Sequence, residues 1–378
     1  MPTSNGVLIC LSKSLINLDE SKKDLYRWSD FYNSNVVNNI MFVDRFKRIT
    51  MPYNFKLNDN SGVPDIPLNF NKTYEQICNE RAIEVYNFAK KAGKKLYVLY
   101  SGGIDSTLVL ISLFKNIPYN ELKDILVISM NIESIKENPF FYNTFIKGKY
   151  RTTSSEKFNE HFDGKKVILG GEHNDQLFGS DIIAKINRTK SFNDALQPHN
   201  RDYIAGYFSF MGMSNDTANW WYDMLVWHSK QAPCEVKTNF DLLWWFNFTF
   251  KWQSVFFRIL LRVAPDQRKC INQEFINNNF LHFYNTHDFQ IWSMSNPHLK
   301  VDSSWVSYKK EAKGVILDFD GNQEYFDNKA KVGSLSGLFL HRKTPWAITP
   351  NFEYIEDFDE SFKDSLYIPH NSFLNDYG

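Results

Sequence analysis

The chain has 378 residues, with 43 Lys and Arg against 43 Asp and Glu, so its formal net charge is zero. That length suits about two to three domains with a sizeable core, and the balanced charge argues against a protein that holds nucleic acid chiefly through a basic surface. No apolar run reaches the roughly 18 residues of a spanning helix, and Cys10, Cys78, Cys234 and Cys270 form no CxxC pair, which excludes helical membrane spans and argues against a disulfide framework or a structural zinc. Near the start, Val7–Leu11 is apolar but is broken by Ser12, Lys13 and Ser14, and no basic segment precedes it. No secretory signal is expected, and the cytoplasm is the expected location.

Residues 1–70 are interrupted by Pro52, Gly62, Pro64 and Pro67 and read as a small N-terminal region that can contain strands. A helix is predicted next. Thr73 is its cap and Gln76 completes a capping box, while Ile77, Ala82, Val85 and Phe88 or Ala89 give an apolar stripe that ends before Gly93. Leu96–Tyr100 is a short strand, Thr107–Phe114 a buried helix, Ile125–Met130 a second strand and Val167–Leu169 a third. Strands alternating with helices predict an α/β fold, a parallel sheet with helices on both faces, over residues 71–192. From about Asn193 to residue 378 the reading is mainly helical. Residues 216–263 are strongly aromatic and hold Trp220, Trp221, Trp227, Trp244, Trp245 and Trp252, which could stack bases or form a core. The acid-rich segment Glu353–Asp364 reads as a solvated terminal stretch.

Two glycine-containing loops follow predicted strands, where open α/β sheets bind ligands. The first is Ser101-Gly102-Gly103-Ile104-Asp105-Ser106. Its glycines let backbone N–H groups approach a ligand, and the helix that follows offers unpaired donors, a combination suited to phosphate. Asp105 is electrostatically wrong beside a phosphate unless a cation lies between them, which points to Mg²⁺. The second loop is Gly171-Glu172-His173-Asn174-Asp175-Gln176-Leu177-Phe178-Gly179.

SGGIDS resembles the pyrophosphate loop of the N-type ATP pyrophosphatases, and the second loop resembles the GEGSDELFGG signature of asparagine synthetases within that superfamily. Gly171, Glu172, Asp175, Leu177, Phe178 and Gly179 match it; His173, Gln176 and Ser180 depart. The resemblance implies an adenine nucleotide alpha hydrolase-like fold and ATP with Mg²⁺ as cofactors, with Ser101, Gly102, Gly103, Ile104, Asp105, Ser106 and Gly171 around the nucleotide. It further implies that Asp105 and Asp175 hold the metal and that Glu172 lies near the reacting carboxyl group. Phe283–Phe289 through Pro297 stands where asparagine synthetases carry a PFLD-type segment. Lys329-Ala330-Lys331-Val332-Gly333-Ser334 resembles the family's K-x-G-F segment, which implies that Lys331 is the catalytic cation, with Lys329 as its substitute. The glutaminase domain of asparagine synthetases is not expected, because position 2 is Pro2 and the preceding region is short.

The leading expectation is therefore a ligase that adenylates a small-molecule carboxylate, releases pyrophosphate and transfers the acyl group to ammonia or an amine. A second is adenylation of a nucleobase in tRNA or DNA, since GEHNDQ faintly resembles the HHxxDQ-like loop of tRNA-lysidine synthetases; the zero net charge and the LFG continuation disfavour it. A third is a nucleotide-binding module without turnover. His173 reads equally as a proton shuttle or as a loop histidine with one hydrogen bond.

Overall fold

The computed structural model describes residues 62–155, 161–180, 192–268, 270–271, 273–301 and 308–329, with short pieces at 7–9, 27, 30–31, 45–46, 346–348 and 354–356. The chain divides into two compact units, one of residues 64–180 and 263–332, the other of residues 1–63, 181–262 and 333–378. This differs from the three consecutive segments expected from sequence, since each unit draws on distant parts of the chain.

The first unit carries a five-stranded, all-parallel sheet. Its strands are β1 (Lys95–Leu99), β2 (Leu126–Met130), β3 (Arg151–Ser154), β4 (Lys166–Gly170) and β5 (Phe280–His282), in the spatial order β3-β2-β1-β4-β5. Register is set by apolar runs that pair in parallel, Leu96 with Leu126 on one side and with Val167 on the other. All five residues of β2 are buried, so the sheet is covered on both faces there, as the unbroken apolar sequence requires. The order reverses direction between β1 and β4, and such a switch opens a crevice at the carboxyl ends of those two strands. The predicted strands agree with β1, β2 and β4 to within one residue at each end. Neither β3 nor β5 was expected. β3 is a polar edge strand paired with β2, and the three residues of β5 are too short for a periodic signal and pair with β4 through Ile168 opposite Phe280.

Helices follow from the same local chemistry. α1 (Tyr74–Lys91) starts with the capping box, where Gln76 N–H donates to Thr73 Oγ1 at 3.2 Å and Thr73 N–H to Gln76 Oε1 at 2.9 Å. Ile77, Ala82, Val85 and Ala89 form its buried stripe, and Gly93 beyond its end takes φ +63°, the left-handed turn that glycine adopts freely. α2 (Ile104–Asn116) follows β1 and buries nine of the ten positions from Ile104 to Leu113, all but Asp105. Further along come α3 (Tyr119–Ile125), α4 (Ile132–Glu137), the short α5 (Asn174–Phe178), α6 (Gln273–Asn279), α7 (His287–Ser295), α8 (Lys310–Asp320) and α9 (Gln323–Asn328). α7 begins just after the Phe283–Phe289 segment opens, capped by Thr286. α8 packs on α1 and α2, which brings its start to the carboxyl end of β1.

The second unit holds helices Arg201–Phe210, Asn215–Ser229 and Asn239–Phe250. Trp220, Trp221, Trp244, Trp245 and Trp252 are all buried, with Phe31 stacked on Trp221 at 4.0 Å between ring centroids. Burial removes these rings from any base or sugar, so the aromatic stretch is a core. His228 lies within it and accepts from Trp245 Nε1 at 3.0 Å. Val7–Ile9, Trp346–Ile348 and Tyr354–Glu356 form an antiparallel three-stranded sheet, so part of the acid-rich stretch is strand. Among the described residues no helix is long and apolar enough to cross a membrane.

Candidate functional site at the carboxyl ends of two neighbouring strands

Both glycine-containing loops leave the sheet side by side, because β1 and β4 are adjacent. The first loop is tightly specified. Gly102 takes φ +80°, and a Cβ there would meet the Ser134 carbonyl oxygen at 2.3 Å and Glu137 Cβ at 2.7 Å. Nothing but glycine fits under α4 at that point. Ser106 Oγ accepts from Ser101 N–H at 3.1 Å and donates to the Gly103 carbonyl at 3.2 Å, while Gly103 N–H donates to Ser101 Oγ at 3.3 Å. These contacts close the loop on itself. Gly103, at the cap position of α2, brings no side chain to the helix start, so the first-turn N–H groups face the crevice end with their dipole.

The second loop passes close to the first: a Cβ on Gly171 would stand 3.4 Å from Ser106 N, an ordinary contact. Glu172 lies in the turn before α5 and is partly exposed. His173, standing where the resembled signature has glycine, takes φ +79° and is buried. A left-handed backbone on histidine costs on the order of 1–2 kcal/mol. The turn persists although its residue is unfavourable, because Gln176 and Leu177 N–H groups donate to the His173 carbonyl at 2.9 and 3.0 Å and start α5 there.

Asp105 and Asp175 come together as expected, and a residue that the sequence reading passed over joins them. Lys309 Nζ donates to Asp105 Oδ1 at 2.5 Å and Oδ2 at 2.6 Å, and stands 2.8 Å from Asp175 Oδ1. Its side chain is 1% exposed against 24% for Asp105 and 18% for Asp175. Asn174, fully buried, donates from Nδ2 to Asp105 Oδ1 at 2.7 Å and accepts from the Tyr74 hydroxyl at 2.7 Å. Tyr284, from the segment after β5, donates its hydroxyl to the Asp105 carbonyl at 2.9 Å. The cluster is thus held by α1, α2, α5, the β5 exit and the start of α8.

Burial pushes the Asp105 carboxyl above the usual carboxylate range; the Lys309 ammonium opposes that and the Asp175 charge adds to it. For Lys309 burial works the other way, toward the neutral amine, but Asp105 and Asp175 outweigh it and hold the ammonium proton well above the ordinary lysine value. Lys309 also takes φ +50°. Among the described residues, His173 and Lys309 are the two non-glycine residues with positive φ, and both stand at this cluster. Backbone held in a sparsely populated conformation concentrates where the surroundings over-determine a functional arrangement.

Lys331, the lysine expected from sequence, lies outside the described residues. Lys329 is described, and its ammonium pairs with Glu137, the residue overhanging Gly102, rather than with the aspartates. Tyr325, on α9, donates its hydroxyl to the Gly102 carbonyl at 3.4 Å. No motif marks Lys309: it sits in Tyr308-Lys309-Lys310-Glu311, a polar run that reads as solvated. The available signal was the apolar spacing of α8, with Ala312, Val315 and Ile316 buried, which turns that helix and its start inward.

Asp105 and Asp175 offer oxygen donors that converge on one cationic point, the donor chemistry that a hard divalent ion such as Mg²⁺ takes from protein. Among the described residues no three His, Cys, Asp or Glu side chains gather as a metal centre. Mg²⁺ is commonly held by one or two carboxylates, with phosphate and water completing its shell, so the pair fits that ion. Comparison with family models, with curated proteins and with solved structures finds no match to this chain.

Proposed function

We propose that the chain is an ATP-dependent ligase forming AMP and pyrophosphate, which adenylates a substrate carboxylate and passes the acyl group to ammonia or an amine. One observation carries the reading. SGGIDS and the second loop leave adjacent parallel strands at the reversal of strand order, and bring Asp105 and Asp175 onto a single buried cationic point.

In this reading a carboxylate oxygen attacks the α-phosphorus, the bond from that phosphorus to the bridging oxygen breaks, and pyrophosphate leaves with the electron pair. The amine nitrogen then attacks the acyl carbon, AMP departs with the acyl C–O electrons, and the nitrogen loses its proton to solvent. Ser101, Gly102, Gly103, Ile104 and Ser106 would form the loop around the phosphates, with Ser101, Gly103 and Ser106 holding its shape and the first-turn N–H groups of α2 offered to phosphate oxygens, and Gly171 leaves room beside Ser106. Lys309 supplies the compact positive charge that the leaving phosphates need, the role assigned to Lys331 on resemblance alone. Glu172, partly exposed in the turn before α5, would lie near the reacting carboxyl group. Asp105 and Asp175 would hold Mg²⁺, which supplies charge neutralisation of the pyrophosphate.

The test is release of pyrophosphate and AMP from ATP with Mg²⁺, against a panel of carboxylates with ammonia and simple amines. Pyrophosphate that appears with a carboxylate present, and falls at least a hundredfold in Lys309→Met, supports the reading. Orthophosphate in its place overturns it. AMP formed with RNA or DNA but with no carboxylate transfers the assignment to nucleobase modification, and tight MgATP binding without turnover across the panel leaves a binding module.

A further inference from the structure

The cluster has an electrostatic property that a plain carboxylate pair would lack. Among the described residues two aspartates share one lysine, and the ammonium already stands within 2.8 Å of both carboxylates. A divalent ion arriving alone would have to displace or approach a cation that is 1% exposed and held from both sides. It would also have two protein carboxylates toward a shell of about six oxygens. Neither obstacle remains if a polyphosphate arrives with the ion. Phosphate oxygens fill the shell, and they offer Lys309 a new anionic partner of at least equal charge.

From this geometry we infer that Lys309 is a built-in counter-ion: it holds the divalent-cation position of the ligand-free chain and yields it only to a metal that enters with a polyphosphate anion. The inference rests on the reading of Asp105 and Asp175 as metal-holding residues, and it adds an order of binding. Free Mg²⁺ at cellular concentrations is then excluded from the site. The aspartates stay neutralised between turnovers, and metal and nucleotide enter as one complex. Asn174 fits the same scheme. Its amide, fixed by Tyr74, keeps Asp105 turned to the shared point whichever cation is there. A lysine is suited to this exchange because its four-carbon stem lets the charge move while its backbone stays in place.

The experiment measures Mn²⁺ binding to the full chain by calorimetry and by electron paramagnetic resonance, with MnCl₂ as the sole added ligand and then with inorganic pyrophosphate. Wild type should bind free Mn²⁺ weakly, and pyrophosphate should tighten that binding at least tenfold. Lys309→Met should bind free Mn²⁺ at least tenfold more tightly than wild type, whereas Lys309→Arg, which keeps a cation on the aspartates, should not. Adding Asp175→Asn to Lys309→Met should abolish the gain. Where Lys309→Met does not fold, Lys309→Gln is read by the same criterion. Equal Mn²⁺ affinity in wild type and the neutral variant overturns the inference, as does a gain that survives Asp175→Asn. The nucleotide reading fails separately: a gain with Mn²⁺ alone, but no MgATP binding to wild type, keeps the counter-ion and removes ATP.

Discussion

Each of the two loops contains a left-handed residue before its helix, held there by opposite means. In the first, the left-handed turn is at Gly102, whose missing side chain is demanded by the Ser134 carbonyl overhead. In the second, the left-handed turn is at His173, where glycine would be easier and where the helix start after it holds the conformation. The first loop is specified by exclusion of atoms, the second by hydrogen bonds gathered around a strained residue. Asp105 takes both carboxylate oxygens to Lys309 and a further contact from Asn174, and Asp175 Oδ1 stands 2.8 Å from the same ammonium, so one cation joins the two loops.

The largest effect should come from the residue that serves both loops. Lys309→Met leaves two carboxylates without their shared cation, and removing one partner of a buried pair costs about 3–5 kcal/mol. This loss depends on pH in a definite direction. A carboxyl raised in the folded state favours its protonated form, so the stability it contributes is present in acid and is lost as pH rises through its folded value. Without Lys309, Asp105 loses the influence that opposes its upward shift. The gap between wild type and Lys309→Met should therefore be small near pH 4 and widen toward neutrality. In wild type the Lys309 proton is held above the ordinary value of 10.5, so its contribution persists through neutral pH and declines only in strong alkali. Urea unfolding from pH 4 to pH 10 checks the widening of the gap and its persistence through mild alkali; a gap that does not change with pH would show that the aspartates are not what the lysine stabilises.

Next comes the contrast between glycines. Gly102→Ala must strain a left-handed φ and move backbone at Ser134, which together cost roughly 2–5 kcal/mol. Gly171→Ala meets its nearest atom at 3.4 Å and should cost less than about 1 kcal/mol. Equal losses in chemical denaturation would mean that the first loop can relax beneath α4.

A smaller effect tests the hydrogen-bonded side of the comparison. Asn174→Ala strands the buried Tyr74 hydroxyl and removes a donor from Asp105, at about 1–3 kcal/mol. Combined with Tyr74→Phe, the double variant should lose less than the sum of the singles, since both remove one chain of contacts. Strict additivity in the double-mutant cycle would disconnect Tyr74 from the cluster.

The smallest expected change is His173→Gly. Releasing a left-handed histidine gains on the order of 1–2 kcal/mol, and loss of a buried ring 5.0 Å from His282 offsets much of it. The net change should lie within about 1 kcal/mol of wild type by thermal melting. A large loss would show that the imidazole, and not the turn, is what this position requires.

Local chemistry in the chain was enough to determine the elements around the crevice. The Thr73–Gln76 capping box, the apolar runs of β1, β2 and β4, and the two glycine loops each act over a few neighbours, and all appear where the residues predict them. That Asp105 and Asp175 belong together was expected from the resemblance of the two loops, and the adjacency of β1 and β4 brings both acids to Lys309. Lys309 was not. Its contacts with Asp105 and Asp175 span about two hundred and more than one hundred positions, and a lysine among polar neighbours carries no period or motif. β5 escaped for a related reason: three residues have no alternation to read, and their strand state comes from the edge that β4 offers. The tertiary fold alone decided which charge meets the aspartates, because burial of α8 against α1 and α2 carries Lys309 into the cluster. Once desolvated there, the two carboxylates hold its ammonium more strongly than water would.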